Sequence, residues 1–291
     1  MKVALTNAGG TRVEEAPDPE CGPGDVVCRV LACAAGDRDL GAKLPAVLGR
    51  EPSGEVVEVG AAADAVVGDQ VAIHALSLEP GGFAEYVKVA PGGELMPLEG
   101  LDPVAATLLD PLAAVLRAQD RTELTGEHAL LVVGANARGL LHVAAALARG
   151  VETVLIREPD LARRELAQRW GARPFDGERV DVAIVTTTPP RDLADAATTV
   201  KPGGHLLLHA DPPPRTLIDI DAHMLAEREL RLSASLGASA QHARAALALL
   251  RAGAVPAADL ITARFSLALA GDALAAQRTG ATLKAVVLPW A

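Results

Sequence analysis

Up to about residue 97, the chain consists of short apolar runs separated by glycine and proline. The runs cover residues 26–31, 55–59, 70–73 and 84–89. Between them lie segments such as Cys21-Gly-Pro-Gly-Asp25 and Pro80-Gly-Gly82, which favour turns between strands. The pattern therefore predicts a β-rich N-terminal part, which opens with a strand at Met1-Lys-Val-Ala-Leu-Thr6.

From residue 129 onwards, apolar β-prone runs alternate with segments of helical periodicity. The predicted strands are 129–133, 153–156, 182–185, 205–209, 231–235, 260–265 and 284–288. The predicted helices are 139–148, 161–170, 193–200, 224–229, 241–251 and 271–278, the third ending in a glycine C-cap at Lys201-Pro-Gly-Gly204. The alternation that begins at residue 129 predicts an α/β fold, with a doubly wound parallel sheet covered by helices on both faces.

The first strand of this alternating part runs into a glycine turn. Leu130-Leu-Val-Val-Gly-Ala-Asn-Ala-Arg-Gly139 leads into an Ala-rich helix, and an acid, Glu158, follows the next strand. Such a unit offers helix N-terminal amides to a pyrophosphate and a carboxylate to ribose hydroxyls, so it predicts a nucleotide cofactor. Asn136 stands where the full pattern has glycine, and its side chain takes up room near the phosphates. The alternative is an ordinary strand–helix turn.

Composition narrows the class of protein further. The 291 residues suffice for two packed domains, and the net charge of −10 disfavours binding to nucleic-acid phosphates. The three cysteines fit no common zinc spacing and are odd in number, which argues against a disulfide framework. We see no signal peptide and no apolar run of membrane-spanning length. We expect a cytoplasmic protein that acts on a small molecule, without nucleic-acid or membrane partners.

Six stretches follow one another along nearly the whole chain in an order typical of one family. They are Leu48-Gly-Arg-Glu-Pro-Ser-Gly-Glu-Val-Val-Glu-Val-Gly60, Val67-Gly-Asp-Gln-Val-Ala72, Gly81-Gly-Phe-Ala-Glu-Tyr-Val87, Asp110-Pro-Leu-Ala113, the turn at Gly134, and Lys284-Ala-Val-Val-Leu288. As a set they resemble the medium-chain dehydrogenase/reductase superfamily, which contains zinc alcohol and polyol dehydrogenases and zinc-free relatives.

The resemblance implies a GroES-like β-rich catalytic domain and a Rossmann domain, with the active site in the cleft at the carboxyl ends of the Rossmann strands. The family's boundaries place the first part of the catalytic domain at 1–111, the Rossmann domain at 112–238 and a C-terminal return at 239–291. The resemblance also implies a homodimer joined through the sheet edge near residues 231–235, or a tetramer.

The chain departs from this family at the metal. The zinc ligands of the family are a cysteine, the histidine of a Gly-His-Glu motif and a further residue, and these positions hold Gly36, Arg50 and Asp110, while the glutamate is kept as Glu51. An arginine cannot lose its proton to become a ligand, and its charge repels a cation. We therefore expect no catalytic zinc.

Two further family features are missing. The chain runs directly from His74 to Gly81, where zinc members carry a four-cysteine lobe, so we expect no structural zinc. The hydroxyl residue and the histidine of the family's proton relay fall at Arg38 and Gly41. We hypothesise that Arg50, together with Arg38, polarises a substrate carbonyl or binds a carboxylate. The alternative is that Arg50, paired with Asp110 and Glu51, only neutralises these two carboxylates.

The cofactor side of the resemblance is better preserved. It implies that Gly134, Asn136 and Gly139 form the pyrophosphate turn and that Glu158 binds the adenosine ribose. The resemblance also places two cations near the cofactor, Arg163 at the ribose and Lys284 at the phosphates. An acid at residue 158 repels a 2′-phosphate, which favours NAD(H) over NADP(H), although Arg157 beside it could pair with a phosphate.

The predicted function is a zinc-independent, NAD(P)(H)-dependent oxidoreductase that acts on a small carbonyl or alcohol, with hydride transfer in the cleft between the domains. The first alternative is an enoyl or quinone reductase of the zinc-free branch. The second is a protein that binds the cofactor without net redox, either cyclase- or lyase-like or non-catalytic.

Overall fold

The computed structural model describes residues 1–74 and 78–291, which divide into two compact units. The first unit comprises Met1–Pro111, Ala246–Ala252 and Pro256–Ala291, and the second comprises Leu112–Ala245 and Gly253–Val255. The return to the first unit falls within a helix that begins at Ala240, whereas the family's boundaries place it at residue 239.

The elements follow the predicted order. The strands of the described residues are β1 (Lys2–Asn7), β2 (Gly10–Glu15), β3 (Val26–Ala34), β4 (Ala46–Val47), β5 (Glu51–Val59), β6 (Gln70–His74), β7 (Leu78–Glu79), β8 (Tyr86–Val89), β9 (Glu94–Pro97), β10 (Ala129–Val133), β11 (Thr153–Arg157), β12 (Arg173–Pro174), β13 (Val180–Val185), β14 (Val200–Leu208), β15 (Arg231–Ala234), β16 (Ile261–Ser266) and β17 (Lys284–Leu288). The helices are α1 (Asp37–Leu40), α2 (Pro103–Ala106), α3 (Leu109–Arg121), α4 (Ala137–Ala148), α5 (Leu161–Arg169), α6 (Pro190–Thr199), α7 (Ala222–Glu227), α8 (Ala240–Arg251), α9 (Ala257–Leu260) and α10 (Ala270–Thr279). None of these helices is long and apolar enough to cross a bilayer.

The first unit is built on β-sheets, which confirms the β-rich, GroES-like part. Its main sheet has the order β16-β17-β3-β5-β6-β9, and β8 also pairs with β3. Ala34, at the end of β3, lies opposite Glu51 of β5 on one side and Val286 of β17 on the other. The first residues of β5 and β17 are therefore brought to the same end of the sheet, although more than two hundred residues separate them in sequence.

The second unit contains the predicted doubly wound sheet, which confirms the Rossmann domain. Over its described strands the order is β12-β11-β10-β13-β14-β15, and every pairing is parallel. The order reverses between β10 and β13, where sheets of this kind bind ligands beyond the carboxyl ends of their strands. Val133, Val185 and Leu208 are in register there, so the residues that follow β10, β13 and β14 lie along one edge.

The segment Lys201-Pro-Gly-Gly204 differs from its prediction. Helix α6 ends at Thr199, and its C-cap residue Val200 is extended (φ −74°, ψ 134°), so the expected glycine cap is wrong. The four residues belong to β14 instead, where pairing with β13 jumps from Val200 opposite Val180 to His205 opposite Val182. Gly203, at φ +75°, allows the extra residues to bulge out of the strand.

Candidate functional site

The strand β10 and the helix α4 are joined by a tight turn at the carboxyl edge of the parallel sheet. Gly134 has φ +96°, and a Cβ added to it would lie 2.5 Å from Thr187 Cγ2. A Cβ added to Gly139 would lie 1.9 Å from the carbonyl oxygen of Gly134. Both positions therefore require glycine, one also for its dihedral angle and the other for the close approach of the helix to the strand.

Asn136 is the N-cap of α4. Its Oδ1 accepts a hydrogen bond from the amide of Gly139 at 2.9 Å, and its Nδ2 donates to the carbonyl oxygen of Thr186 at 2.8 Å. The Thr186 hydroxyl donates in turn to the carbonyl oxygen of Val133 at 3.0 Å. Both polar ends of the asparagine are thus used within the turn, where they satisfy a first-turn amide of the helix and tie the turn to the end of β13.

Glu158 follows β11 and reaches the same turn. Its Oε2 accepts from the amide of Ala135 at 2.6 Å, and its Oε1 accepts from the amide of Asp160 at 2.9 Å. A carboxylate has about four acceptor positions, so this one keeps capacity for ribose hydroxyls. The structure therefore brings together Gly134, Asn136, Gly139 and Glu158.

The arginines near Glu158 have different environments. The guanidinium of Arg157 lies 4.6 Å from the centre of the Phe175 ring, a cation–π contact. Arg164 Nη1 donates to the carbonyl oxygen of Glu158 at 2.7 Å. Arg163 is half-buried, and its amide donates to Asp160 at the start of α5, so its role at the ribose stays a prediction.

A second set of polar residues lies at the carboxyl edge, on the β14 side of the turn. Arg138, in the first turn of α4, contacts both the carbonyl oxygen of His209 and the carboxylate of Asp211. His209 also contacts the buried His142 of α4. The sequence analysis missed Arg138; the signal for it is a charged residue between Asn136 and Gly139, inside the glycine turn.

In the first unit, the family's glutamate is buried and ion-paired. Lys284 Nζ lies 2.5 Å from Glu51 Oε2, and the two side chains are 5% and 11% exposed. Burial raises the pKa of Glu51 to about 7, against the charge and hydrogen bond of Lys284, which lower it. Lys284, expected at the cofactor phosphates, is thus engaged by Glu51, because β17 and β5 both flank the end of β3.

The Glu51 carboxylate occupies the space beside Gly36. A Cβ added at residue 36 would lie 2.6 Å from Glu51 Oε1, so a side chain there requires this carboxylate to shift. Asp39, also buried, accepts hydrogen bonds from the amides of Gly36 at 2.9 Å and Gly49 at 3.0 Å. Its pKa is raised by burial, which outweighs the opposing effects of these amides and of the charges of Lys284 and Arg50.

Asp110, in the first turn of α3, contacts His74 at the end of β6 through Nδ1 of the imidazole. The hydrogen bond to Asp110 raises the pKa of His74, in opposition to the effect of burial. Both side chains are partly accessible, at 15% for His74 and 25% for Asp110. Nothing local in the sequence shows that β6 ends beside the start of α3, so the contact of His74 with Asp110 is not predicted from the sequence.

Two basic side chains other than Arg50 contact the carboxylates Glu51 and Asp110. Arg50 and Arg38 are both exposed, and the charge of Arg50 acts on Asp39. Lys284 contacts Glu51 and His74 contacts Asp110, and the pairing of Arg50 with these two carboxylates stays a prediction. The fixed positive charge comes from β17, at the far end of the sequence, which spacing alone could not predict.

These residues do not reproduce the family's zinc site. Zinc takes about four nitrogen, sulfur or oxygen donors in proteins. At the corresponding positions the chain has a glycine, an arginine and two carboxylates, and each carboxylate contacts a basic side chain. Among residues 1–74 and 78–291, no cluster of three histidine, cysteine, aspartate or glutamate side chains is placed to hold a metal. The connection from His74 to Gly81 runs partly through residues 75–77, outside the described residues.

Known proteins resemble both units. Residues 22–100 match the alcohol dehydrogenase GroES-like domain. The chain is 28% identical to L-threonine 3-dehydrogenase of Pyrococcus horikoshii over 73% of this chain and 76% of the relative, and 25% identical to sorbitol dehydrogenase of Bacillus subtilis over 99% and 97%. The crystal structure of a proposed zinc-binding dehydrogenase from Sinorhizobium meliloti, bound to NADP, superposes with a TM-score of 0.90 at 26% identity and covers 99% of both chains.

Proposed function

We propose a specific activity from the following premise: this chain belongs to the medium-chain dehydrogenase/reductase superfamily and is an NAD(P)-dependent oxidoreductase. The proposed reaction interconverts a small secondary alcohol and its carbonyl. The observation that supports it best is the glycine turn with Glu158 beside it, at the carboxyl edge where the strand order reverses. The relatives named for sorbitol and threonine oxidise substrates of this kind, a polyol and a hydroxy amino acid.

The proposed cofactor is NAD(H) in preference to NADP(H). The turn from Gly134 to Gly139 would hold the pyrophosphate, and the Glu158 carboxylate would accept hydrogen bonds from the ribose and repel a 2′-phosphate. Titration with NADH and separately with NADPH, followed by nicotinamide fluorescence, tests this assignment. Tighter binding of NADH supports it. Tighter binding of NADPH, the cofactor whose oxidised form is bound in the Sinorhizobium meliloti structure, contradicts the preference, and no binding of either contradicts the function.

We also propose that the reaction uses no zinc. The support is that Glu51 is engaged by Lys284 and fills the space beside Gly36, where the family's cysteine would be. Elemental analysis of purified protein should find far less than one zinc per chain, because a catalytic zinc site needs three protein donors. Incubation with a chelator should leave the initial rate unchanged. A rate that falls with chelation and returns with added zinc contradicts the proposal.

The proton of the reaction is assigned to His74. In the reducing direction the dihydronicotinamide, when bound, supplies a hydride to the carbonyl carbon. His74, whose pKa is raised by the hydrogen bond to Asp110, would give its proton to the oxygen and take up a proton from solvent, so that the reaction consumes one hydride and one proton. In a His74→Gln variant, the pH profile of kcat/KM should no longer show the ionisation of the imidazole. A variant that keeps the wild-type profile and rate rules the role out.

Arg50, with Arg38, is proposed to polarise the substrate carbonyl or to bind a substrate carboxylate. Both guanidinium groups are exposed in the first unit, and a fixed cation can stabilise developing negative charge on oxygen. The Arg50→Ala variant should lose kcat/KM by about a hundredfold, the lower end of the range for loss of one group that stabilises developing negative charge. A folded variant with full kcat/KM would leave Arg50 only the role of balancing nearby carboxylates.

Substrate class and assembly are separate proposals. Consumption of NADH with ketones supports the carbonyl assignment, and consumption with enones supports the reductase alternative. Consumption with neither, despite tight NADH binding, means a protein without net redox.

For assembly we propose a homodimer through β15, the edge strand of the parallel sheet. Leu232 in this strand and Leu236 just after it are 48% and 63% exposed. A monomer by light scattering contradicts it. Location in the cytoplasm stays a prediction.

A further inference from the structure

The Arg138 side chain crosses the carboxyl edge of the second unit. Arg138 starts in the first turn of α4, directly after β10, and its Nη1 donates to the carbonyl oxygen of His209 at 3.0 Å. Its Nη2 lies 2.7 Å from Asp211 Oδ2. Both partners follow β14, and β13 separates β10 from β14 in the sheet. The guanidinium therefore spans the end of β13, beside the point where the strand order reverses.

A buried, neutral pair of histidines fixes the far end of this span. His142, four residues after Arg138 on α4, contacts His209 Nδ1 through its Nε2 at 2.8 Å, and the two residues are 0% and 4% exposed. On the other side of the His142 ring, Gln119 Nε2 lies 3.4 Å from Nδ1 and donates to the His142 carbonyl oxygen at 3.0 Å. Burial lowers the pKa of both imidazoles, that of His209 to about 3, so neither adds charge.

The position of the nicotinamide half follows from the proposed cofactor, on which this inference rests. With the pyrophosphate at the turn and the adenosine ribose at Glu158, the adenosine half lies over β11. The other half of an extended dinucleotide must then run in the opposite direction, over the ends of β13 and β14. That is the region crossed by the Arg138–Asp211 pair. A full positive and a full negative charge, 17% and 39% exposed, therefore border the nicotinamide half.

We propose that the Arg138–Asp211 pair is a specificity-determining element, whose balance of charge sets the relative affinity for oxidised and reduced cofactor. NAD⁺ and NADH differ at the nicotinamide ring, which is cationic in one and neutral in the other. A cation beside the ring disfavours NAD⁺, and an anion favours it. With both charges present their effects oppose each other, and removal of either one exposes the other.

The test measures the ratio of the Kd for NAD⁺ to the Kd for NADH. Nicotinamide fluorescence gives the Kd for NADH, and displacement of bound NADH gives the Kd for NAD⁺. Asp211→Asn, which removes the negative charge of the pair, should raise the ratio by roughly three- to tenfold, and Arg138→Gln should lower it by a similar factor. The double variant should return close to the wild-type ratio. This readout needs no substrate and no turnover.

A matched control lies at the other end of α4. Arg149, the C-cap residue of the helix, forms an ion pair of the same 2.7 Å length with Asp120. The two ends of the helix are about 17 Å apart, so Arg149→Gln should leave the ratio unchanged. Thermal unfolding of each variant checks that the fold is kept.

The outcomes separate this inference from the proposed function. Opposite shifts in the two single variants support the charge balance, which a merely structural role would not produce. Shifts of the same sign, or no shift in variants that fold and bind NADH, overturn it. If the wild type binds neither form, the proposed cofactor is wrong and the inference fails with it.

Discussion

Neutralisation of Glu51 should change how the stability of the first unit depends on pH. Burial raises the pKa of Glu51 from 4.5 to about 7. Unfolding returns the carboxyl to its ordinary pKa, so between these values the folded chain holds a proton that the unfolded chain has released. The contribution of Glu51 to the free energy of unfolding is therefore fully present below pH 4.5 and is lost as the pH rises through about 7. At about 1.4 kcal/mol per pH unit, the loss is about 3 kcal/mol.

Glu51→Gln keeps the size of the side chain and removes this titration. The free energy of unfolding should then lose about 3 kcal/mol less than that of the wild type between pH 4.5 and 7. Asp39 and His74, whose pKa values are also raised, are present in both proteins, so the difference between the two profiles isolates Glu51. A Glu51→Gln, Lys284→Met double variant should show the same flattened profile without a buried amine that lacks its partner.

The assay is urea unfolding at a series of pH values, followed by tryptophan fluorescence. The chain has two tryptophans, and Trp290, which donates to the carbonyl oxygen of Val30, belongs to the first unit. A Trp170→Phe background therefore makes the signal specific to that unit. Glu79→Gln is the control, because Glu79 pairs with Lys88 at 2.9 Å but is 71% exposed. A Glu51→Gln profile that runs parallel to the wild type within about 0.5 kcal/mol refutes the reasoning.

Three further predictions concern the cofactor turn. Asn136→Ala removes the cap on Gly139 and the brace on Thr186, so it should cost about 1–2 kcal/mol in thermal unfolding, and Asn136→Asp, which can still cap, should cost less. Gly139→Ala places a Cβ 1.9 Å from the carbonyl oxygen of Gly134, so a titration should show NADH binding weakened at least about tenfold; unchanged affinity would mean that the turn does not bind the cofactor. Glu158→Gln removes the charge that repels a 2′-phosphate, so the ratio of the NADPH to the NADH dissociation constant should fall, and a constant ratio would show that another residue sets the preference.

The sequence predicts those features that depend on local periodicity and on residues near one another in the chain. The first two strands of the parallel sheet, β10 and β11, the glycine turn and the acid after β11 fall within thirty residues and need only one strand–helix–strand unit to meet. The partner of Glu51 could not be predicted in this way. It depends on β17 and β5 flanking the end of β3, a pairing between the two ends of the chain. The same holds for His74 and Asp110, which meet only through the placement of α3 against β6.

The charges around Glu51 bear on the proposal that the reaction uses no zinc. Buried carboxylates need compensating charge, because transfer of an isolated charge out of water is costly. Lys284 supplies a cation to Glu51, Arg50 acts on Asp39, and His74 pairs with Asp110, so each carboxylate interacts with a basic side chain. Gly36 leaves the room that the Glu51 carboxylate takes up. A Gly36→Cys substitution alone should therefore not create a zinc site, because it adds one donor beside carboxylates that already contact basic side chains, while residue 50 stays an arginine.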